Sequence, residues 1–298
     1  MADEHHRPVL LDEACELLSP APGQCTLDCT VGGGGHAEKI LALSQPDGKL
    51  IGLDRDPAAL DIAARRLAKF GDRAKLVHAC FVDAADVLAE NGIEQVHNVI
   101  LDLGLSSIQL DAPRGFSFRQ EDAPLDMRAD PTCGKTAAEL LARVREDELA
   151  DILYNLADER KSRRIARAIC SERRKAPIET AGQLAAIVLR AMAGPWRRIH
   201  PATRTFMALR MWVNRELPNL EETLTSVKDI VAPGGRVVVI SFHSKEDRIA
   251  KTVFRSQARE GVWQILTKRP LTAGAEETGR NPRSRSAKLR AVERKGVM

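Results

Sequence analysis

The chain has 298 residues, 44% of them apolar and 29% charged, with a net charge of +4. That length and apolar share support one large α/β domain with a sizeable core, or an α/β domain plus a smaller module, and exclude a disordered chain. No run of about 18 uncharged apolar residues occurs, so no membrane span is expected; the start MADEHHRPVLL is charged, lacks a signal peptide's apolar stretch and points to a cytoplasmic protein.

Residues 25–111 read as alternating strands and helices. A strand near 24–30 runs into Gly32-Gly33-Gly34-Gly35, and a helix is expected over 36–44. The run Lys49-Leu50-Ile51-Gly52-Leu53-Asp54 is a second strand ending in an acid, and an Ala/Leu-periodic helix follows Pro57, whose fixed φ suits a first turn. Further strands are expected over 74–78 and 96–103. This alternation implies a parallel, doubly wound sheet.

After Asp111 the pattern breaks. Pro113, Gly115, Pro124, Pro131 and Gly134 mark a loop. Helical periodicity then runs from Thr136 to about Ala193 without a convincing strand. These features predict a helical module over 112–199, inserted into a sheet domain built from 1–111 and 200–298. The α/β pattern resumes with a helix over 201–216. A strand over 235–241 follows the turn Pro233-Gly234-Gly235. A helix over 245–255, a strand over 262–267 and an edge strand over 287–292 complete the expected sheet.

The six cysteines, Cys15, Cys25, Cys29, Cys80, Cys133 and Cys170, form no C-x-x-C pair. Reduced thiols are therefore expected, rather than a zinc site or disulfides. Charge is unevenly spread: residues 1–111 hold 9 of the 45 Lys/Arg and 18 of the 41 Asp/Glu, leaving 36 basic against 23 acidic residues beyond. Either the later part meets a polyanion or the chain carries solvated faces of opposite sign.

The glycine run lets the backbone turn sharply and approach a ligand, and the helix start beyond it attracts negative charge. A dinucleotide pyrophosphate fits, as does the methionine carboxylate of S-adenosylmethionine. Gly32, Gly34 and Ala37 meet the looser dinucleotide spacing, so NAD stays open on local grounds. Asp28, at the strand end before the glycines, favours S-adenosylmethionine because a carboxylate there can accept from its ammonium group. Asp54 can accept from ribose hydroxyls with either cofactor. Phe81 follows the third strand, where it either stacks on adenine or packs in the core. Asp102 ends the fourth strand at the expected ligand edge, unless it is a helix cap.

Several blocks then match a known pattern: HRPVLLDEA at 6–14, DCTVGGGGHA at 28–37, DLGLSSIQLDAPRGFSF at 102–118 and PLDMRAD at 124–130. ERKSRRIARAI at 159–169, HPATRTFMALRMWVN at 200–214, GGRVVVISFHSKEDR at 234–248 and NPRSRSAKLR at 281–290 continue it. In these blocks the chain resembles the bacterial 16S rRNA cytosine-N4 methyltransferase family (RsmH or MraW), nearly end to end. It departs in having Ala37 for a usual Ser, Lys245 for Leu and Ala129 for Met, none of which removes a group assigned a chemical role. The resemblance implies a Rossmann-like class I S-adenosylmethionine methyltransferase sheet with an inserted all-helical subdomain. It also implies methylation of the exocyclic N4 of one cytidine in the decoding centre of the small ribosomal subunit. Cofactor contacts then fall on Gly34, Gly35, His36, Asp54, Phe81, Asp102 and Gln109.

For catalysis, a poorly nucleophilic cytosine amine must be aimed at the methyl group and its N–H groups held by acceptors. Asp102 is the leading acceptor, with the Leu103 and Gly104 backbone nearby and Ser106 and Ser107 assisting; no metal is required. The target base leaves its stack. Phe116 and Phe118 either wall it or anchor the insertion, and His243 either faces it or is structural.

Phosphate contacts are sought in three basic runs. Residues 160–175 include Arg163 and Arg164, residues 196–210 include Arg197, Arg198, Arg204 and Arg210, and residues 280–295 include Arg283, Arg285, Lys288 and Arg290. The expected partner is 16S rRNA within the small subunit, with no membrane and with a homodimer left open. Two rivals stand: a dinucleotide oxidoreductase, separable by which cofactor raises the melting temperature, and a non-enzymatic RNA-binding assembly factor, separable by methyl transfer from labelled cofactor.

Overall fold

Short apolar runs bounded by turn residues build the inner strands, buried nearly throughout, and amphipathic stretches between them build the helices. The computed structural model describes residues 8–192 and 200–296, apart from the Ser107 side chain. The first half of the sheet holds α1 (Leu11–Leu18), β1 (Cys25–Asp28), α2 (Gly35–Leu43), β2 (Lys49–Asp54), α3 (Pro57–Leu67), β3 (Ala74–His78), α4 (Ala84–Glu90) and β4 (Val96–Asp102). Then come α5 (Ser107–Asp111), α6 (Ala137–Arg143), α7 (Glu146–Ala157), α8 (Ser162–Glu172), α9 (Ala181–Met192) and α10 (Thr203–Val213). The chain closes with α11 (Glu216–Ile230), β5 (Val231–Ser241), α12 (Ser244–Arg259), β6 (Trp263–Ile265), α13 (Ala275–Arg280) and β7 (Lys288–Arg294).

The strands form one seven-stranded sheet in the order β3-β2-β1-β4-β5-β7-β6. β1 to β5 run parallel, while β7 is antiparallel to both β5 and β6. This is the expected Rossmann-like sheet. Period-two alternation sends successive side chains to opposite faces. Leu27, Leu53, Val99, Leu101, Val237 and Val239 pack with Leu88 of α4, Leu224 of α11 and Phe254 of α12. Leu50, Ile100, Val238, Ile240 and Leu289 pack with Leu18 of α1, Ile40 of α2 and Leu67 of α3. Both faces are therefore covered, as a parallel sheet requires.

The last strand differs from its expected place. β7 lies inside the sheet, with Leu289, Arg290, Ala291 and Val292 all buried, and the short β6 takes the edge. Its polar composition is tolerated because Arg290 Nε donates to Asp247 at 2.6 Å and Arg294 donates to the Val231 carbonyl. Five helices had no counterpart in the expected pattern: α1, α4, α5, α11 and α13. α11 has a readable signal, since Leu220, Leu224 and Val227 recur at helical spacing and are buried.

The described residues fall into two compact units, one within 1–106 and 217–298, the other within 107–216. The limits differ from the expected 112–199: α5 and α10 belong to the helical unit. α10 packs along α7 and α6 and buries Phe206, Ala208 and Leu209, so its apolar face is satisfied among helices. Asn214 ties it further, donating to the Met127 carbonyl at 2.8 Å and accepting from Ala129 N–H at 2.7 Å. Among the described residues, no helix is long and apolar enough to cross a membrane.

Candidate functional site

Three acids end three adjacent parallel strands: Asp28 on β1, Asp54 on β2 and Asp102 on β4. The sheet order reverses between β1 and β4, so the carboxyl ends of these strands flank the switch point where ligands of such sheets bind. The backbone that leaves β1 is threaded through all three. Thr30 N–H donates to Asp28 Oδ1 at 3.1 Å, and Gly32 N–H donates to Asp54 Oδ2 at 2.9 Å. The Thr30 hydroxyl accepts from Asp102 N–H at 2.6 Å. Asp54 Oδ1 also accepts from Asp56 N–H at 2.9 Å.

The glycine turn is needed for conformation and for space. Gly32 and Gly34 have φ of 51° and 80°, a left-handed region costly for other residues. At Gly35 a Cβ would stand 2.3 Å from Pro8 Cγ, so the segment before α1 lies directly on the loop. Val9 adds a second tie: its carbonyl accepts from His36 Nε2 at 3.1 Å. In the neutral ring this leaves a lone pair on Nδ1, which sits 3.6 Å from Asp102 Oδ2, too far for a hydrogen bond. Sequence reasoning missed this clamp; the block around Pro8 and Val9 was its only signal.

Burial sets the electrostatics. Asp28 is 2% exposed, and loss of water raises its pKa from 3.8 to about 7, opposed by the Thr30 N–H and aided by Asp54. Asp54 is raised to about 6, again chiefly by burial, with the Asp56 and Gly32 N–H groups opposing. Asp102 is pushed well above the ordinary carboxylate range by burial, then by the charges of Asp28 and Glu246. Its side chain keeps 19% exposure, yet Oδ1 is buried and has no hydrogen-bond partner among the described residues. Such an atom costs stability unless a ligand uses it.

The remaining predicted site residues divide. Phe81 is half-buried and packs on the sheet core, satisfying the packing alternative while keeping one side open. Ser106 follows β4 in the loop that leaves the sheet. Gln109 lies on α5, in the other unit, and is buried. His243 is a helix cap: Nδ1 accepts from Glu246 N–H at 3.4 Å while Glu246 Oε2 accepts from His243 N–H at 3.2 Å. This reciprocal box starts α12 and assigns the ring a structural task. Phe116 is buried, and Phe118 stacks on His200 at 4.1 Å and meets Phe206 edge-on, so both anchor the helical unit.

The basic runs are sorted by their partners. Arg163, Arg164, Arg204 and Arg285 are exposed, although Arg204 also donates to the Asp158 carbonyl at 3.1 Å. Arg283 is half-buried. Lys288 pairs with Asp247 at 3.5 Å, and Arg210 is held bidentately by Glu216 at 2.9 and 2.8 Å, so neither is a simple phosphate donor. Arg197 and Arg198 lie outside the described residues. All six cysteines are free, and only Cys133 is exposed.

The acids and glycines fit S-adenosylmethionine: a buried carboxylate for an ammonium group, a second for ribose hydroxyls, and a turn without Cβ atoms between them. Comparison with known proteins agrees. A Geobacter sulfurreducens protein named ribosomal RNA small subunit methyltransferase H is 51% identical over 307 residues, covering 97% of this chain and 98% of its own. A Pelobacter propionicus protein of the same name is 49% identical over 313 residues, covering 99% and 100%. The MraW methylase family matches residues 3–295, and with glycine turn, three strand-end acids and end-to-end relatives all in agreement, this chain belongs to that family of methylases.

Proposed function

We propose that this enzyme transfers the methyl group of S-adenosylmethionine to the exocyclic N4 of a cytidine in 16S rRNA of the small ribosomal subunit. The observation that carries the reading is Asp102, a partly open carboxyl with one buried, unpartnered oxygen at the end of β4. The shared name of the relatives supports a small-subunit RNA substrate.

When bound, S-adenosylmethionine supplies an electrophilic methyl group on a sulfonium. Asp28 accepts from its ammonium group, the N–H groups at the Gly34–His36 helix start face its carboxylate, and Asp54 accepts from its ribose. Phe81 offers its open side to the adenine, and Ser106 assists at the reacting amine. Asp102 Oδ1 accepts an N–H of the target amine, which turns the nitrogen lone pair out of conjugation and toward the methyl group. A raised pKa lets the same carboxyl keep the proton that the nitrogen sheds as it gains carbon. The positive sulfonium of a bound cofactor would favour the carboxylate form beforehand. His36 holds the loop through its bond to the Val9 carbonyl, and His243 acts by starting α12. The helical unit presents Arg163, Arg164 and Arg204 to RNA phosphates, and Arg283 and Arg285 do so from the sheet unit. The reaction belongs in the cytoplasm, on assembled or assembling subunits, with the protein a monomer or a homodimer.

The test is transfer of labelled methyl to small subunits, with mass spectrometry locating it on cytidine N4. Asp102→Ala should lose at least about 100-fold in turnover, the scale of losing one charge-stabilising group, while its melting temperature stays near wild type. Normal turnover in that variant would remove Asp102 from the chemistry. Stabilisation by NAD and not by S-adenosylmethionine would overturn the reading as a whole.

A further inference from the structure

A cleft of about 320 Å³ opens between α12, β6 and β7, away from the glycine turn. Its floor is apolar, with Phe254 from α12 and Ile265 from β6. Its rim is cationic, with Lys251 and Arg255 one helical turn apart on α12, Lys268 beyond β6, and Arg290 on β7. Lys251, Arg255 and Lys268 are exposed, and none has a hydrogen bond or ion pair among the described residues. Arg290 is 8% exposed, and Asp247 takes its Nε–H at 2.6 Å, which holds the guanidinium in one orientation. Lys288 pairs with the same carboxylate, so Asp247 is already spent on two cations and leaves the rim positive.

We propose that this cleft binds a nucleotide of single-stranded RNA flanking the methylated cytidine, its base over the Phe254 and Ile265 floor and its phosphates on the Lys251, Arg255 and Lys268 rim. The inference rests on the proposed RNA substrate and adds where the flanking strand runs. An apolar lining edged by three unpaired cations, Lys251, Arg255 and Lys268, is the chemistry that single-stranded nucleic acid uses, apolar contact below and phosphate at the edge. The volume suits one nucleoside. Register supports the place: Arg290 lies opposite Val239 and Val239 opposite Leu101, the residue before Asp102. Two strand spacings are about 10 Å, so the cleft is within reach of near neighbours of a base held at Asp102. Every exposed side chain named on the edge is a cation, which favours a polyanionic strand over an apolar protein segment.

The experiment uses the full chain, a fluorescein-labelled RNA spanning the decoding centre, and the triple variant Lys251→Glu, Arg255→Glu, Lys268→Glu. Wild type and variant should share melting temperature and S-adenosylmethionine affinity, because all three side chains are exposed and unbonded. RNA binding should weaken by about tenfold in moderate salt, and the slope of log affinity against log salt should fall by about 2, from ~0.7 per lost contact on a single strand. A 4-thiouridine placed beside the target should crosslink to the 251–268 segment in wild type. Unchanged affinity and slope, or crosslinks only elsewhere, would overturn the cleft while wild-type methylation of small subunits kept the proposed function standing. Loss of RNA binding in the variant, alongside a wild type that never methylates small subunits, would support the cleft and overturn the function.

Discussion

Replacing Asp28 with Asn probes the glycine-turn pocket through its energetics. Asp28 is 2% exposed, and its pKa is raised from 3.8 to about 7, first by burial. A carboxyl raised in this way binds its proton more tightly folded than unfolded. Its contribution therefore favours the folded state below about pH 4 and is lost as pH rises through about 7. Three units at 1.36 kcal/mol each make the loss about 4 kcal/mol at most. Asn keeps the Oδ1 that accepts from Thr30 N–H and carries no titrating proton. It also removes the stronger of the two charges that raise Asp102, so that carboxyl titrates lower and the effect adds. In denaturant unfolding of the cofactor-free protein from pH 4 to 8, wild type should lose stability with rising pH faster than Asp28→Asn. The gap between them should change by a few kcal/mol across that window. S-adenosylmethionine affinity should drop by about tenfold or more, the cost of losing a charged hydrogen bond. A stability difference flat from pH 4 to 8 would refute the burial argument, and unchanged affinity would remove Asp28 from the cofactor site.

Gly35→Ala should clash with Pro8, which a Cβ would approach to 2.3 Å. Overpacking of this kind costs about 1–3 kcal/mol, so calorimetry should show a lower melting temperature, with S-adenosylmethionine binding weakened as the Val9–His36 tie loosens; an unchanged melt would mean the clamp is not rigid. Arg163→Glu with Arg164→Glu, both exposed on α8, should weaken binding to small subunits more at low salt than at high salt, as counterion release requires. A salt-independent loss in filter binding would point to misfolding instead.

Much of the sheet is legible in the chain order. β2 and β3 match their expected limits residue for residue: Lys49–Asp54 is an apolar run closed by charge, and Ala74–His78 a short stretch around Leu76 and Val77. The strand-end acids are legible because an acid after an apolar run marks where the strand stops, although that rule does not foretell their burial. β7 was harder, since a strand carrying Lys288, Arg290 and Arg294 reads as an exposed edge. Its interior place depends on Asp247, 43 residues earlier, accepting from Arg290. Periodicity cannot report such a partner. The helical insertion shows a similar divide: its existence follows from composition, but α10 joins it through packing on α7 that no local pattern distinguishes from packing on a sheet.

Sequence alone determined the glycine turn, the three carboxylates and the succession of the parallel strands, because each depends on residue type and near neighbours in the chain. Tertiary structure alone decided that Pro8 lies on Gly35, that His243 caps a helix, and that an oxygen of Asp102 is buried without a partner. It also raised the cationic cleft from residues 251, 255, 268 and 290, which the linear order keeps apart. Burial and pKa depend on what surrounds a group in space, and distant segments supply those surroundings only once the chain has folded.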